Sequence, residues 1–466
     1  MQQPDKIAEY LKTVSQQIRW KKAQPVILEE IEGHLTDQRN AYLRDGFAEE
    51  TATDKAIAEM GDPVVVGEQL DRAHRPRPDW TLLALTGTML ILGIVLQTFV
   101  NSAVEGEWLL ERQVIWAGIA FIVMTAAYFA DFTVIGKYPK IVFSILWAVT
   151  ILFSFFTEEI NGRASNMTYP LLLFPTAFAG FTYSMRNKGY FGLMLCGAAF
   201  LVPAYLSLIM PSITTLFILS VSCLIILTAA VLKGWFGTKR LPAMLIIYIP
   251  TAVVLSIPFI ISIGTGYRAM RLKTLLNPSS DPMGAGFMVS LINQILSHSR
   301  FIGGGSPLEV FGVSEITQIL PEINTDFMLT YLTHRFGWIV LIGIIVLFSA
   351  FIFRAAVLCK KQKSVLGFLT STAIVSTFAM QSIVYIASNL GFLLFSPLSL
   401  PLISSGWKYI ITNMLLIGFM LSVFRTGTLV KDKADAALVN TKRFIKYNNG
   451  QIIINLKSNL HMKMRI

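Results

Sequence analysis

Residues 80–100 read WTLLALTGTMLILGIVLQTFV and contain no charged side chain. A helix needs about 20 apolar residues to cross the hydrocarbon core of a bilayer, so this stretch predicts a membrane-spanning helix. Comparable apolar stretches recur at 80–100, 114–131, 139–156, 168–184, 188–209, 213–233, 241–264, 327–353, 364–390 and 407–425. The sequence therefore predicts an all-α, polytopic membrane protein with about ten transmembrane helices.

The composition agrees with this fold class. Apolar residues make up 54% of the 466 residues and charged residues only 14%, whereas soluble domains carry about a quarter charged residues. The formal net charge is +11, and in membrane proteins Lys and Arg collect beside the cytoplasmic ends of helices. The charge therefore indicates topology, and we predict membrane lipids, not nucleic acid, as partners.

Residues 1–79 differ from the rest because they are polar and rich in charge. Apolar residues recur there at helical spacing, and turn residues such as Gly61-Asp62-Pro63 divide the segment into about four helices. The stretches Glu59–Pro63 and Val66–Leu70 resemble the prefix domain found ahead of various bacterial permeases and sensors. We predict a small, soluble, cytoplasmic helical domain, 1–79, before a transmembrane domain, 80–430.

Basic residues alternate between the two ends of the predicted spans. They are concentrated before span one and after every second span, at Arg75, Arg77, Lys137, Lys140, Arg186, Lys188, Lys233, Lys239, Arg240, Arg354, Lys360, Lys361, Lys363, Arg425 and Lys431. The positive-inside rule then predicts that both termini are cytoplasmic. The basic tail, 431–466, is typical of a solvated or membrane-surface segment, and a docking motif is the alternative.

The long connection 265–325 is predicted to lie on the outer face, next to Asp326 at the start of the eighth span. Long loops without clear secondary structure are often functional. A carboxylate at the entrance to hydrocarbon is costly unless it is paired or lines a wet cavity, which favours a functional role. The alternative is that Asp326 only caps the helix.

Motifs of soluble enzymes are absent from the sequence. Gly303-Gly304-Gly305 suggests either a phosphate-binding loop or, more simply, a turn. The histidines are too dispersed to predict a metal site, and the cysteines Cys196, Cys223 and Cys359 give neither a disulfide framework nor a metal pair.

Further motifs give the chain a resemblance to a known family. They are Arg271, Asn277-Pro278, Asp281-Pro282, Gly284, Gly286, Leu320-Pro321-Glu322, Thr325-Asp326-Phe327, Phe336-Gly337, Asn389-Leu390-Gly391, Pro397 and Pro401–Gly406. Over roughly 80–430 the chain resembles the FtsW/RodA/SpoVE family of shape, elongation, division and sporulation proteins. The resemblance implies ten helices with one long outer loop before the eighth.

The resemblance also implies a function, that of a peptidoglycan glycosyltransferase that polymerises lipid II at the outer face of the bacterial plasma membrane. Asp326 then corresponds to the essential catalytic aspartate, and a general base is what a sugar hydroxyl needs when it attacks an anomeric carbon. The implied substrate-binding residues are Arg271, Lys273, Asp281, Glu322, Thr325, Asn389 and Ser404. The implied partner is a single-pass penicillin-binding transpeptidase; no covalent cofactor is expected, although Mg²⁺ or Mn²⁺ could assist.

The chain departs from the family pattern at several positions. Asn324 stands where the family usually has His, and Ser404–Trp407 replaces Ser-Tyr-Gly-Gly. The Gln-Pro-Ser-Glu motif expected after the third span is not recognisable around 161–175. These departures keep two alternatives open, a non-catalytic scaffold of the cell-wall machinery and a flippase for lipid-linked precursors. The scarcity of ionisable residues inside the spans favours the enzyme over the flippase.

Overall fold

The computed structural model describes residues 6–21, 23–75, 78–101, 109–155, 159–160, 163–164, 168–209, 212–263, 277, 281, 284, 286–309, 315–393, 398–427, 445–448, 451–455 and 461–465. The chain divides into two compact units. One comprises Met1–Arg77 with Thr428–Ile466, and the other comprises Pro78–Gly427. The tail thus falls in the first unit, whereas the sequence suggests a separate segment; the domain limits 1–79, 80–430 and 431–466 stay predictions.

The N-terminal part of the first unit is helical, as predicted. Its helices are α1 (Lys6–Gln17), α2 (Gln24–Arg44), α3 (Glu49–Met60) and α4 (Pro63–His74). Their apolar faces form one core of Ile7, Tyr10, Val14, Ile18, Ala23, Ile27, Ile31, Leu35 and Ala56. Helix α4 begins where it does because the Asp62 carboxylate accepts hydrogen bonds from the Val64 and Val65 amides at 2.8 and 3.1 Å.

The second unit is an apolar helical bundle. Its helices are α5 (Trp80–Asn101), α6 (Leu109–Phe129), α7 (Thr133–Lys137), α8 (Pro139–Phe155), α9 (Thr168–Met185), α10 (Gly189–Ile209), α11 (Ile213–Leu232), α12 (Arg240–Ile263), α13 (Phe287–Ser297), α14 (Ile316–Ile319), α15 (Met328–Phe336), α16 (Trp338–Lys360), α17 (Val365–Asn389) and α18 (Trp407–Thr426). Among the described residues, eight of these helices are long and apolar enough to span a membrane: α5, α6, α10, α11, α12, α16, α17 and α18.

The predicted third and fourth spans form helices α8 and α9, which are not among those eight. Helix α8 has 17 residues and α9 has 18, with Pro175 in its interior. Nearly all side chains of α9 are buried, because α9 packs against α8, α10, α11 and α17. Side chains that pack on other helices of a membrane protein can be more polar than those that face lipid. The helical membrane fold is confirmed, but the count of ten spans is not.

The predicted eighth span, 327–353, is wrong at its start. Gly337 has a φ of +98° and separates the short helix α15 from the spanning helix α16. A side chain at Gly337 would collide with the Phe301 carbonyl oxygen, 2.5 Å from the position of a Cβ atom. Asp326 therefore precedes a short helix of nine residues and does not begin the span itself.

The predicted loop 265–325 contains more regular structure than the sequence suggests. Helix α13 buries Leu291, Ile292, Ile295 and Leu296 and contacts α15, and the four-residue helix α14 follows it. The apolar spacing within α13 is helical, but it is only 11 residues long and adjoins turn residues. Residues 265–276 of this loop lie outside the described part of the chain.

Short strands are a minor addition to the helical fold. In the bundle, β1 (Glu159–Ile160) pairs antiparallel with β2 (Arg163–Ala164). In the tail, β3 (Ile445–Asn448), β4 (Gln451–Asn455) and β5 (His461–Arg465) form an antiparallel sheet in the order β3-β4-β5. No strands are predicted from the sequence of this tail.

Asp79 joins the start of α5 to α16. Its carboxylate accepts hydrogen bonds from the Arg354 guanidinium at 2.6 and 3.3 Å and from the Leu82 amide at 2.9 Å. Partial burial acts to raise the pKa of Asp79. The hydrogen bonds from Arg354 and Leu82 and the charges of Arg354 and Lys361 outweigh this effect and lower the pKa below 3.8. Asp79 therefore acts both as a helix cap and as an ion-pair partner.

Two substitutions separate these roles. Asp79→Asn keeps an oxygen for the Leu82 amide, whereas Asp79→Ala removes both the cap and the charge. We expect Ala to lower the free energy of unfolding by about 1 kcal/mol more than Asn. Because folding lowers the pKa of Asp79, the ion pair contributes above the unfolded value, near 3.8, and its contribution is lost as the pH falls through the folded value. Unfolding in detergent at neutral and acidic pH measures both effects; equal losses for the two variants would contradict the cap.

Candidate active site

A tight turn, 323–327, carries Asp326. Glu322 before it adopts a φ of +52°, which is uncommon for a residue other than glycine. Its carbonyl oxygen accepts hydrogen bonds from the amides of Thr325 and Phe327, each at 3.1 Å. The Glu322 carboxylate also accepts a bond from the Thr325 hydroxyl at 2.7 Å. The turn therefore has one well-defined backbone path, and Glu322 and Thr325 hold its shape.

Three consecutive carbonyl groups of this turn, those of Asn324, Thr325 and Asp326, accept hydrogen bonds from other parts of the bundle. We call this arrangement the carbonyl clamp. The Asn324 carbonyl accepts from Gln97 Nε2 at 3.1 Å and from the Ser405 amide at 3.0 Å. The Thr325 carbonyl accepts from the hydroxyls of Tyr385 and Ser404, at 3.2 and 3.1 Å. The Asp326 carbonyl accepts from Asn389 Nδ2 at 2.9 Å. The donors come from α5, from α17 and from the segment before α18, so several distant parts of the sequence fix the backbone of Asp326.

The side chains of α17 also cap α15. The Leu329 amide donates to the Tyr385 hydroxyl at 3.3 Å, and the Thr330 amide donates to Asn389 Oδ1 at 2.9 Å. The N-cap position of α15 is Phe327, whose side chain makes no capping hydrogen bond. Tyr385 and Asn389 of α17 therefore contribute to the capping of α15, and the alternative in which Asp326 serves as the helix cap stays a prediction.

The segment before α18 is held in place by α5. The Ser404 hydroxyl accepts a bond from the Leu400 amide at 3.0 Å and closes the turn around Leu402, which has a φ of +66°. Gly93 of α5 lies against this turn, and a Cβ atom there would come within 2.7 Å of the Leu402 carbonyl oxygen. The close approach of two backbones lets Ser404 reach the carbonyl clamp.

The Asp326 side chain is half-buried at this end of the bundle. It lies close enough to the phenols of Tyr169 and Tyr385 for its charge to act on both. The carbonyl clamp uses the backbone of Asp326 and not its carboxylate. The site thus contains a rigidly placed carboxylate beside aromatic side chains, an arrangement suited to accepting a proton from a bound substrate.

The structure brings most of the predicted site residues together. Glu322, Thr325, Asp326, Asn389 and Ser404 belong to the turn or to its clamp. Asp281 shapes a different turn, in which its carbonyl accepts from the amides of Gly284 and Gly286 ahead of α13. Arg271 and Lys273 lie outside the described residues.

Sequence reasoning missed Gln97, Tyr385 and Thr330. Gln97 is fully buried and lies within an otherwise apolar span. A polar side chain inside a span is expensive unless it has a partner, so this position was a signal for a site. Tyr385 precedes Asn389 by one helical turn, and the two therefore lie on the same face of α17.

Gly303-Gly304-Gly305 does not form a phosphate-binding loop. The amides of Gly303 and Gly305 donate to the carbonyls of Phe336 and His334, at 3.0 and 2.7 Å, and so are already occupied. The His334 ring packs against Gly305. Burial lowers the pKa of His334, and the nearby His298 and Arg335 lower it further, although the hydrogen bond with the Ser306 carbonyl acts to raise it. The glycines thus anchor the loop to the end of α15.

Within the part of the chain that the structure describes, no group of three or more His, Cys, Asp or Glu side chains lies close enough to hold a metal ion. A divalent cation bound together with a substrate stays a prediction, because such an ion needs only one or two carboxylates from the protein.

The fold and the site define a multi-pass membrane protein in which the carbonyl clamp holds the backbone of an aspartate at one end of the bundle. The profile of the family described as "Cell cycle protein", which comprises FtsW, RodA and SpoVE, matches residues 78–428. The chain belongs to this family. The match covers the whole of the second unit.

Related proteins agree with this assignment. The chain is 24% identical to a protein of Trichlorobacter lovleyi named "Probable peptidoglycan glycosyltransferase FtsW", over 74% of this chain and 92% of that protein. It is 29% identical to Stage V sporulation protein E of Bacillus subtilis, over 34% of this chain and 42% of the relative. The resemblance suggested by the sequence motifs is therefore confirmed.

Solved structures show the same fold. A chain from a structure described as "Structural coordination of polymerization and crosslinking by a peptidoglycan synthase complex" superposes with a TM-score of 0.58 at 19% identity, covering 75% of this chain and 98% of that one. A mutant of the rod shape determining protein RodA of Thermus thermophilus gives a TM-score of 0.53 at 17% identity, with the same coverage.

The carbonyl clamp predicts a large effect for Asn389→Ala. This change removes the donor to the Asp326 carbonyl and the acceptor of the Thr330 amide, and it leaves two buried polar groups without their partner. We expect the free energy of unfolding to fall by about 3 kcal/mol. Ser382→Ala on the same helix is the control, because that hydroxyl bonds only within α17, to Phe378, and we expect a loss below about 1 kcal/mol. Similar losses in detergent unfolding would contradict the importance of the clamp.

Proposed function

We propose that this protein is a peptidoglycan glycosyltransferase that polymerises lipid II at the outer face of the bacterial plasma membrane. Membership of the family supports a role in cell-wall synthesis. The observation that carries the proposal is the carbonyl clamp, which fixes the backbone of Asp326 while using no atom of its carboxylate. These hydrogen bonds hold the backbone of Asp326 in one position, which a general base needs before its substrate arrives.

In the proposed reaction, the 4-hydroxyl of one sugar attacks the anomeric carbon of the lipid-linked chain. Asp326 accepts the hydroxyl proton as the new carbon–oxygen bond forms. The bond between the anomeric carbon and the polyprenyl diphosphate breaks, and the diphosphate leaves with the bonding electron pair. General-base assistance of this kind contributes on the order of a hundredfold to ten-thousandfold in rate.

The rigidity of the turn supports this role. A misplacement of about 1 Å is enough to reduce a rate a hundredfold, so a base must be held in one position before the substrate arrives. Hydrogen bonds to backbone carbonyls restrict the turn without neutralising the carboxylate. Tyr385, Asn389 and Ser404 are therefore positioning residues, and Asp326 is the residue that would contact the substrate.

The distribution of charge supports the orientation. Basic residues lie at the C-terminal ends of three spanning helices. Lys360 ends α16, Arg425 lies in the last turn of α18, and Lys233 follows α11. By the positive-inside rule these ends are cytoplasmic. Asp326 and the loop before it would then meet the outer leaflet, where the sugar of a lipid-linked precursor is accessible.

A transpeptidase partner follows from the same proposal. One of the solved structures that share this fold belongs to a peptidoglycan synthase complex in which polymerisation and crosslinking are coordinated. A polymerase of this family would therefore work beside a single-pass penicillin-binding protein, which crosslinks the nascent strand.

Asp326→Asn is the decisive substitution. It removes the proton acceptor while nearly preserving the side-chain volume, so polymer formation from lipid II should fall by about a hundredfold or more. The fold should survive, because the clamp binds the backbone of Asp326 and α17 caps α15. Polymer is measured on gels with purified protein, and thermal stability is measured on the same sample.

Glu322→Gln is the matched control, since it retains an acceptor for the Thr325 hydroxyl. We expect it to keep most of the activity. An unchanged polymer yield from Asp326→Asn would overturn the catalytic role of Asp326. A parent protein that makes no polymer from lipid II would instead favour the non-catalytic scaffold.

The orientation has its own test. A single cysteine is introduced at Glu309, which is exposed in the loop before Asp326, after the buried Cys196, Cys223 and Cys359 are replaced by alanine. A membrane-impermeant maleimide should label Glu309→Cys in intact cells. Lys363→Cys, at an exposed position after α16, should react only after lysis, and the reverse pattern would refute the topology.

A further inference from the structure

Lys408 lies among aromatic side chains near the Asp326 turn. Its ammonium nitrogen is 5.3 Å from the centroid of the Trp407 ring and 5.6 Å from that of Tyr169. Trp407 stacks on Trp116 of α6 at 4.7 Å, and Tyr409 packs edge-on against Tyr169 at 4.8 Å. We call Trp116, Tyr169, Trp407 and Tyr409 the aromatic cradle. It holds the lysine at the junction of α6, α9 and α18.

The position of Lys408 is not explained by helix stability. It is the second residue of α18, and the N-terminus of a helix carries a partial positive charge that disfavours a cation. The aromatic faces offset part of this cost, but an uncharged polar side chain would avoid it. A cation kept at such a place is suited to attract an anion.

Lys408 and Asp326 are part of one rigid assembly. Ser404 and Ser405, within one helical turn before Lys408 in sequence, bind the carbonyls of Thr325 and Asn324. Tyr169 connects the two charges, since Lys408 lies over its ring and the Asp326 carboxylate lies close enough for its charge to act on the phenol. The cation and the carboxylate thus both lie near Tyr169.

The surroundings of this site fit a lipid-linked anion. Trp116, which stacks on Trp407, is seven residues into α6, which begins at Leu109, or roughly 10 Å along the helix axis. Lys408 is half-buried, and partial removal of its charge from water strengthens its attraction for an opposite charge. The neighbouring Ile115 and Ile119 of α6 are exposed and apolar, as expected of a surface in contact with lipid chains.

We propose that Lys408 binds the diphosphate of the polyprenyl-linked substrate and neutralises it as it leaves; this inference rests on the proposed glycosyltransferase function. The ammonium acts as a compact point charge with three donors, suited to phosphate oxygens. Lys408 directly follows Trp407, which stands where the motif Ser-Tyr-Gly-Gly has its last glycine. The aromatic cradle around the ammonium group therefore includes a ring that the motif does not supply.

Binding of farnesyl diphosphate to the purified full-length chain tests this inference without requiring catalysis. The measurements are made in the Asp326→Asn background, with farnesol as the probe that lacks the diphosphate. Lys408→Gln should weaken binding of farnesyl diphosphate by about tenfold, because one charge-assisted interaction is lost, and should leave any binding of farnesol unchanged. Lys408→Arg should retain most of the affinity. Arg300→Gln is the control for loss of a positive charge from an exposed loop residue.

The outcomes separate the two proposals. Three results would overturn the role of Lys408. They are an unchanged affinity for farnesyl diphosphate in Lys408→Gln, an equal loss of affinity in Arg300→Gln, and no preference of the Asp326→Asn protein for farnesyl diphosphate over farnesol. If Lys408→Gln loses diphosphate binding while the protein without substitutions makes no polymer from lipid II, the anion site stands and the glycosyltransferase proposal fails. If the protein without substitutions makes polymer and Lys408→Gln binds farnesyl diphosphate with unchanged affinity, only the anion site fails.

Discussion

The hydrogen bonds to three consecutive carbonyls, those of Asn324, Thr325 and Asp326, are the constraint on which the rest of the site depends. A backbone carbonyl inside an apolar bundle cannot form a hydrogen bond with bulk water. Leaving it without a protein donor therefore costs free energy. A non-helical turn at this depth is therefore tolerated only if other helices supply donors. Gln97, Tyr385 and Asn389 do so, and this requirement places polar residues inside otherwise apolar helices.

The polar residues of α17 continue from the site into the bundle. Gln381 and Asn413 exchange hydrogen bonds between α17 and α18, at 3.2 and 3.3 Å, and the Thr377 hydroxyl reaches Ser222 of α11 at 3.4 Å. In lipid, where apolar contact gives no hydrophobic driving force between helices, such bonds and close packing hold helices together. Helix α17, which supplies two of the five donors of the carbonyl clamp, is thus itself fixed to its neighbours. The position of Asp326 is therefore fixed relative to the bundle.

The sequence predicts some of these features and not others, for physical reasons. Apolar stretches give the spanning helices because each depends only on local composition. The motif resemblance gives Asp326, Asn389 and Ser404, but not their roles: the clamp joins residues separated by 227 positions, as between Gln97 and Asn324, and no local pattern contains such a pairing. The break at Gly337 was missed because both flanking segments are helical, whereas the φ of +98° and the contact with the Phe301 carbonyl, which together require glycine, arise only in the folded chain.

The departures from the family motif separate what the backbone requires from what the chemistry uses. Position 406 retains the first glycine of the motif. Gly406 has a φ of +136°, a conformation that other residues rarely adopt. The turn that brings Ser404 to the clamp is therefore preserved. After it, Trp407 stands in place of the last glycine of the motif and Lys408 follows; their side chains lie outside the turn and pack on α6 and α9. Because the turn geometry does not depend on them, these two positions are free to change the electrostatic environment of Asp326 without moving it.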